Sequence, residues 1–226
     1  MLELYKLQKS FDKRQPVLKD ISLALAPGAA ICIAGQNATG KTTLLRTACG
    51  LISPDAGTVS CDGKIAFVPQ EPALLPELTV RDNLKLWYAA QGLRGPTFSA
   101  PSPEGLLGLG PFEKKRAGAL SGGMKKRLSI AAALVGQPGY LLLDEPFAAL
   151  DAPGSRTLSQ LLCRLKSGGM GILLTSHEPQ QIAALADKLF LLQDGRFSAA
   201  LALKDLPEAQ RHHSILTLLF SGVHAI

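Results

Sequence analysis

Ala29-Ala30-Ile31-Cys32-Ile33-Ala34-Gly35-Gln36-Asn37-Ala38-Thr39-Gly40-Lys41-Thr42-Thr43 is an apolar run that breaks into a glycine-rich turn. No polar side chain interrupts the residues before Gly35 apart from a small thiol, which suits a strand covered on both faces. From Gly35 the chain fits Gly, four residues, Gly-Lys-Thr, the pattern of a phosphate-binding loop. Glycines let backbone N–H groups turn toward phosphate oxygens, the helix from Lys41 to about Gly50 aims its positive end at them, and Lys41 adds a mobile cation. Thr42 offers a hydroxyl to Mg²⁺, while Asn37, Ala38, Thr39, Gly40 and Thr43 complete the cradle. A plain glycine turn before a helix would use the same residues, but the buried strand in front favours the phosphate reading.

A second apolar run, Tyr140-Leu141-Leu142-Leu143, ends in Asp144-Glu145, at the edge where a parallel sheet presents its ligands. Asp144 can hold Mg²⁺ through water, and Glu145 can position and polarise an attacking water. The alternative, an acidic cap on the next helix, loses ground beside the phosphate loop. Leu120-Ser121-Gly122-Gly123-Met124-Lys125-Lys126-Arg127-Leu128 opens another helix, where free amides and the Ser121 hydroxyl can bind an anion. Taken alone, Ser121 is explained as an N-cap.

Farther out, polar and apolar residues roughly alternate over Leu2 to Leu7 and Val17 to Leu25, as in a half-exposed antiparallel sheet. Short strands are predicted at Ile65 to Val68, Gly171 to Thr175 and Phe190 to Gln193. Helical spacing runs from Thr79, a candidate N-cap, to Gln91, and again from near Ser121 through Ala133. Between them, residues 92 to 111 hold much of the glycine and proline and read as loop-rich. Strands alternating with helices imply an α/β fold with a mostly parallel sheet. From Leu206 onward, Ile215, Leu216, Leu218, Leu219, Phe220 and Val223 suggest a helix that packs on its own domain.

At 226 residues, 46% hydrophobic and 19% charged, the chain is long enough for one substantial core and too apolar for a large disordered tail. No stretch reaches the length of a membrane-spanning helix, and Met1-Leu2-Glu3-Leu4-Tyr5-Lys6 lacks a signal core, so a cytoplasmic location is expected. Cys32, Cys49, Cys61 and Cys163 have no metal spacing and are expected to be reduced. A formal charge of +6 is compatible with nucleic acid or anionic lipid but selects neither.

Taken in order, these segments resemble the nucleotide-binding subunit of ATP-binding cassette (ABC) transporters over nearly the whole chain. The resemblance implies a P-loop NTPase core with an N-terminal antiparallel β subdomain and an inserted α-helical subdomain, all one domain: residues 1–70 and 134–226 as catalytic core, about 71–133 as the helical part. It implies ATP and Mg²⁺ as ligands, and two cassettes pairing head to tail as a homodimer or heterodimer. Ser121, Gly122, Gly123 and Asp151 of one chain would then face the nucleotide of the other. By the same resemblance Gln70 touches Mg²⁺ and senses a transmembrane permease subunit, and His177 reaches the γ-phosphate. An aromatic residue about 30 positions before the loop lysine stacks on adenine in this family; Phe11 fits that offset and Tyr5 competes.

Ala38 and Met124 depart from the commoner glycine and glutamine of the family. Met124 with Lys125-Lys126-Arg127, and Leu78-Thr79-Val80-Arg81-Asp82-Asn83-Leu84, resemble exporters of the ABC-2 type, although Phe147-Ala148-Ala149-Leu150-Asp151 occurs in similar form in importers. The implied function is ATP hydrolysis driving transport, with export expected, on the inner face of the cell membrane. The permease would dock on the loop after Gln70 and the helices from Thr79 to about Leu120, through Leu74, Leu75, Leu78 and Trp87 where these are exposed, with core packing the first expectation for Trp87. A soluble ABC ATPase working on ribosomes or nucleic acid is the alternative. A single cassette without sustained heptads speaks against it, and no nucleic acid partner is expected. A small-molecule kinase would need the phosphate loop but not the Ser121 segment.

Overall fold

Apolar residues facing one way and polar residues the other make β1 (Leu2–Asp12) and β2 (Gln15–Leu25) an antiparallel pair, with Leu2 opposite Leu25 and Leu4 opposite Leu23. β3 (Ala30–Ala34) is buried along its whole length and runs into α1 (Lys41–Ala48). β4 (Ala56–Cys61) returns to the free edge of β1, giving a three-stranded sheet in the order β2-β1-β4. The computed structural model describes residues 1–12 and 15–221.

After β5 (Ile65–Val68) come three α-helices, α2 (Val80–Ala90), α3 (Pro103–Leu106) and α4 (Gly122–Leu134), with two short 3-10 turns between the last two. The chain then re-enters the main sheet at β6 (Tyr140–Leu143). α5 (Ala152–Ser167), β7 (Gly171–Thr175), α6 (Pro179–Leu185), β8 (Lys188–Gln193), β9 (Arg196–Ala202) and α7 (Glu208–Ser221) complete it. The main sheet has the order β5-β6-β7-β3-β8-β9. All its pairings are parallel except the β8–β9 hairpin. Successive residues of β3 go to opposite faces: Ala30, Cys32 and Ala34 to the core shared with α4 and α5, Ile31 and Ile33 to the core under α1 and the antiparallel sheet.

That strand order positions the site. β5, β6, β7 and β3 are neighbours pointing the same way, so Gln70, Asp144, Ser176-His177 and the Gly35 loop leave the sheet along one edge. Local caps fix the helices around it: Thr79 accepts a hydrogen bond from the Asp82 amide, Ser121 from the Met124 amide, and Asp151 from the Gly154 amide.

Three readings of the sequence need revision. β4 and β9 carry few β-branched or aromatic residues and were not expected as strands; pairing with β1 and β8 makes them so. The span 92–111 includes α3, started by Ser102 accepting from the Gly105 amide and by Pro103 in the first turn. Trp87 is not core: it is 47% exposed and lines an apolar groove of ≈ 400 Å³ with Leu51, Phe67 and Ala132. It lies one turn beyond the buried Leu84, facing this groove beside Ala132 of α4. Ile215 of α7 is fully buried, whereas Val223 lies outside the described residues.

Candidate active site

Gly40 caps α1 with φ 104°, a left-handed conformation that costs glycine little. A side chain there would meet the Val17 carbonyl at 2.9 Å, and one at Gly35 would meet the Leu192 carbonyl at 2.4 Å, so both positions are closed to larger residues. The loop folds around the Lys41 ammonium, which donates to the carbonyls of Gly35 (2.7 Å) and Gln36 (2.8 Å). Thr39 Oγ1 ties the turn by donating to Gln36 O (2.9 Å). Burial holds the Lys41 pKa below the usual lysine range, with Glu145 and Asp144 acting in the opposite direction.

From the other side comes Asp144, 2% exposed at the end of β6. Its Oδ2 accepts from Thr42 Oγ1 (2.7 Å) and its Oδ1 from Thr175 Oγ1 (2.7 Å), so the buried carboxylate has a donor on each oxygen. Thr175 also accepts from the Glu145 amide (2.8 Å), which holds Glu145 in place at a φ of 45°, uncommon for a residue with a side chain. Glu145 Oε1 in turn lies 3.3 Å from His177 Nδ1.

Lys41, Thr42, Asp144, Glu145 and His177 border one cleft of ≈ 550 Å³, with Asn37, Ala38, Gly40, Thr43, Gln70 and Phe11 also lining it; Gly35 and Thr39, expected beside them, shape the loop without lining the cleft. Phe11 is 65% exposed and available for stacking; Tyr5, also on β1, is exposed but does not line the cleft. The Thr42 hydroxyl, Asp144 carboxylate and Gln70 amide are hard oxygen donors, the kind Mg²⁺ takes together with phosphate oxygens. Among the described residues no group of three or more His, Cys, Asp or Glu could hold a metal by itself.

Ser121, Gly122, Gly123 and Asp151 do not line the cleft. They form a second group: a side chain at Gly122 would touch Ala149 Cβ at 3.4 Å and one at Gly123 the Ala149 carbonyl at 3.1 Å, while Arg127 lies 3.7 Å from Asp151.

Residues 18–148 match the family model described as ABC transporter. The chain belongs to the ABC transporter family. Over 99% of its length it is 30% identical to the linearmycin resistance ATP-binding protein LnrL of Bacillus subtilis, covering 76% of that protein. It is 36% identical to the aliphatic sulfonates import ATP-binding protein SsuB of Rhodopseudomonas palustris, with 94% and 78% of the two chains covered. Among solved structures, an ATP-binding subunit of an ABC transporter superposes with a TM-score of 0.84 at 26% identity, covering 99% of both chains. A dimeric ATP-binding cassette in a post-hydrolysis state with ADP and Pi gives 0.80 at 26% identity, covering 91% of this chain and all of that one. This cassette is therefore an ABC ATPase, the ATP-binding subunit of a transporter.

Two residues of the ABC site escape a reading of the sequence. Thr175 holds both Asp144 and Glu145, yet it looks like the last residue of an apolar strand; its polarity at the ligand edge is the only signal. Lys126 stands in a run of three basic residues whose charge gives no sign of burial, but it is 2% exposed and donates to the carbonyls of Pro69 (2.9 Å) and Gln70 (2.5 Å).

Proposed function

We propose that the cassette hydrolyses Mg-ATP in a head-to-tail pair and drives a separate transmembrane permease from the cytoplasmic face of the membrane. The observation that carries this reading is the separation of the two groups: Lys41, Thr42, Gln70, Asp144, Glu145 and His177 share one cleft, while Ser121 and Gly123 open α4 away from it. An anion-binding helix start outside the chain's own cleft makes sense if it serves the cleft of a second subunit.

In that pair the Gly35–Thr43 loop holds the phosphates through backbone N–H groups and Lys41. Phe11 stacks on the adenine. Thr42, Asp144 and Gln70 would hold Mg²⁺, which would supply positive charge against the phosphates. Glu145 orients the attacking water in line with the γ-phosphorus and takes its proton as the bond from phosphorus to the bridging oxygen breaks and ADP leaves. His177 Nδ1, next to Glu145 Oε1, keeps that carboxylate aimed, and its exposed ring can reach a γ-phosphate oxygen. Ser121 and Gly123 of the partner stabilise the remaining oxygens, and Asp151 crosses the interface. Each chain supplies half of each site, so binding two ATP closes the pair and hydrolysis releases it.

The apolar groove lined by Leu51, Phe67, Trp87 and Ala132, with Leu75 and Leu86 half-exposed nearby, suits a helix from the permease. Met124 and the basic residues after it favour export, as does 35% identity to a Nod factor export ATP-binding protein; the likeness to SsuB favours import as a second reading. Pull-down from detergent-solubilised membranes tests the partner: a polytopic membrane protein is expected, and ribosomal proteins or nucleic acid would overturn transport. Glu145→Gln tests the chemistry. We expect turnover to fall at least about a thousandfold with ATP binding kept and an ATP-dependent dimer accumulating in sedimentation; retained hydrolysis would contradict the assignment.

A further inference from the structure

We propose that Lys126 is a positioning residue that ties α4 to the Gln70 loop, so that engagement of Ser121 by one nucleotide sets Gln70 over the other. The inference rests on the proposed reading of Gln70 as a ligand to the metal-nucleotide in its own cleft. Lys126 Nζ reaches across from α4 to two successive backbone carbonyls, Pro69 O and Gln70 O, where β5 turns toward the cleft. Lys126 is as buried as Asp144, and a buried ammonium holding two carbonyls fixes their loop more firmly than a neutral donor would. The next residue, Arg127, approaches Asp151 on the loop after Glu145. One turn of α4 therefore grips the loops on both sides of the Asp144-Glu145 strand end.

Ser121 caps the same helix five residues before Lys126, a rise of about 7.5 Å along a rigid rod. A shift of α4 when Ser121 meets the partner's nucleotide is transmitted to Pro69 and Gln70 without passing through solvent. The Gln70 side chain itself is exposed on the cleft wall, so its backbone anchor decides where it points. Downstream, the loop is braced by the Leu74 amide donating to Pro72 O (3.1 Å) and the Leu75 amide donating to Asn83 Oδ1 (2.9 Å). Lys126 holds its upstream end.

The test compares Lys126→Met, similar in length without a donor, with Lys126→Gln, which keeps an N–H donor, in the full chain. Lys126→Met is expected to lower kcat about tenfold with KM for ATP within about twofold, and Lys126→Gln to recover most of that loss. Hydrogen exchange should quicken at Glu71 to Leu78 and nowhere else. Adding Lys126→Met to Gln70→Ala should cost nothing beyond Gln70→Ala alone, since both changes act on one contact. Unchanged kcat, multiplicative losses in the double variant, or faster exchange spread over the whole chain would overturn the proposal while leaving Gln70 as a ligand. If Gln70→Ala itself is fully active, the Gln70 reading falls and the strut falls with it.

Discussion

At the scale of single residues, the buried carboxylate of Asp144 depends on neighbours that have no charge of their own. Thr175 donates to it and accepts from the Glu145 amide, so one hydroxyl aligns both acids at the end of β6. Thr175→Val keeps the shape and removes both bonds. We expect kcat to fall about tenfold, an effect of about 1.5 kcal/mol for a bond to a charged acceptor, with nucleotide affinity within about threefold and Thr175→Ser close to normal. Steady-state kinetics beside a nucleotide titration would check this; a loss of affinity equal to the loss of kcat would mean that Thr175 only supports the fold. As candidates, Lys41 and Thr42 are legible in the sequence through the fixed spacing of a phosphate loop, and Asp144 and Glu145 through their place at the end of an apolar run. Thr175 and Lys126 are not, because their partners lie 31 and 57 residues away and neither belongs to a local pattern.

Among the elements, legibility follows how much of the signal is local. β3, β6 and β7 are continuous apolar runs bounded by turns, and the structure buries each of them completely. β4 and β9 are half-exposed, poor in strand-forming residues, and exist because an edge of β1 or β8 was open to them. Trp87 shows the same limit on a helix: its spacing fits the buried stripe of α2, but it borders an open groove beside Ala132 of α4 and stays 47% exposed. Packing between elements also leaves marks at glycines. A side chain at Gly171, the first residue of β7, would sit 2.5 Å from the ring of buried Tyr140 on β6. Gly171→Ala is expected to destabilise the fold by about 2 kcal/mol through overpacking, read as a lower midpoint in denaturant titration with an unchanged slope. A midpoint equal to that of the parent would mean that the β6–β7 pairing yields easily at this point.

Across the whole molecule, two cores separated by the main sheet hold a single rigid edge on which the chemistry is displayed. Among the described residues no helix is long and apolar enough to cross a membrane. The net charge of +6 never decided between partners. The proposed pairing makes a stronger demand, because it says that neither chain holds a complete site. Mixing two variants tests this most directly. Glu145→Gln stops hydrolysis in its own cleft, keeps ATP binding and leaves Ser121 intact; Ser121→Arg spoils the face presented to the other chain and leaves Glu145 intact. Each alone should be inactive, and an equimolar mixture should recover up to about a quarter of the parent ATPase rate, since half the pairs are mixed and each mixed pair has one whole site. A mixture as inactive as its components, with mixed pairs shown to form, would contradict a site shared between two chains.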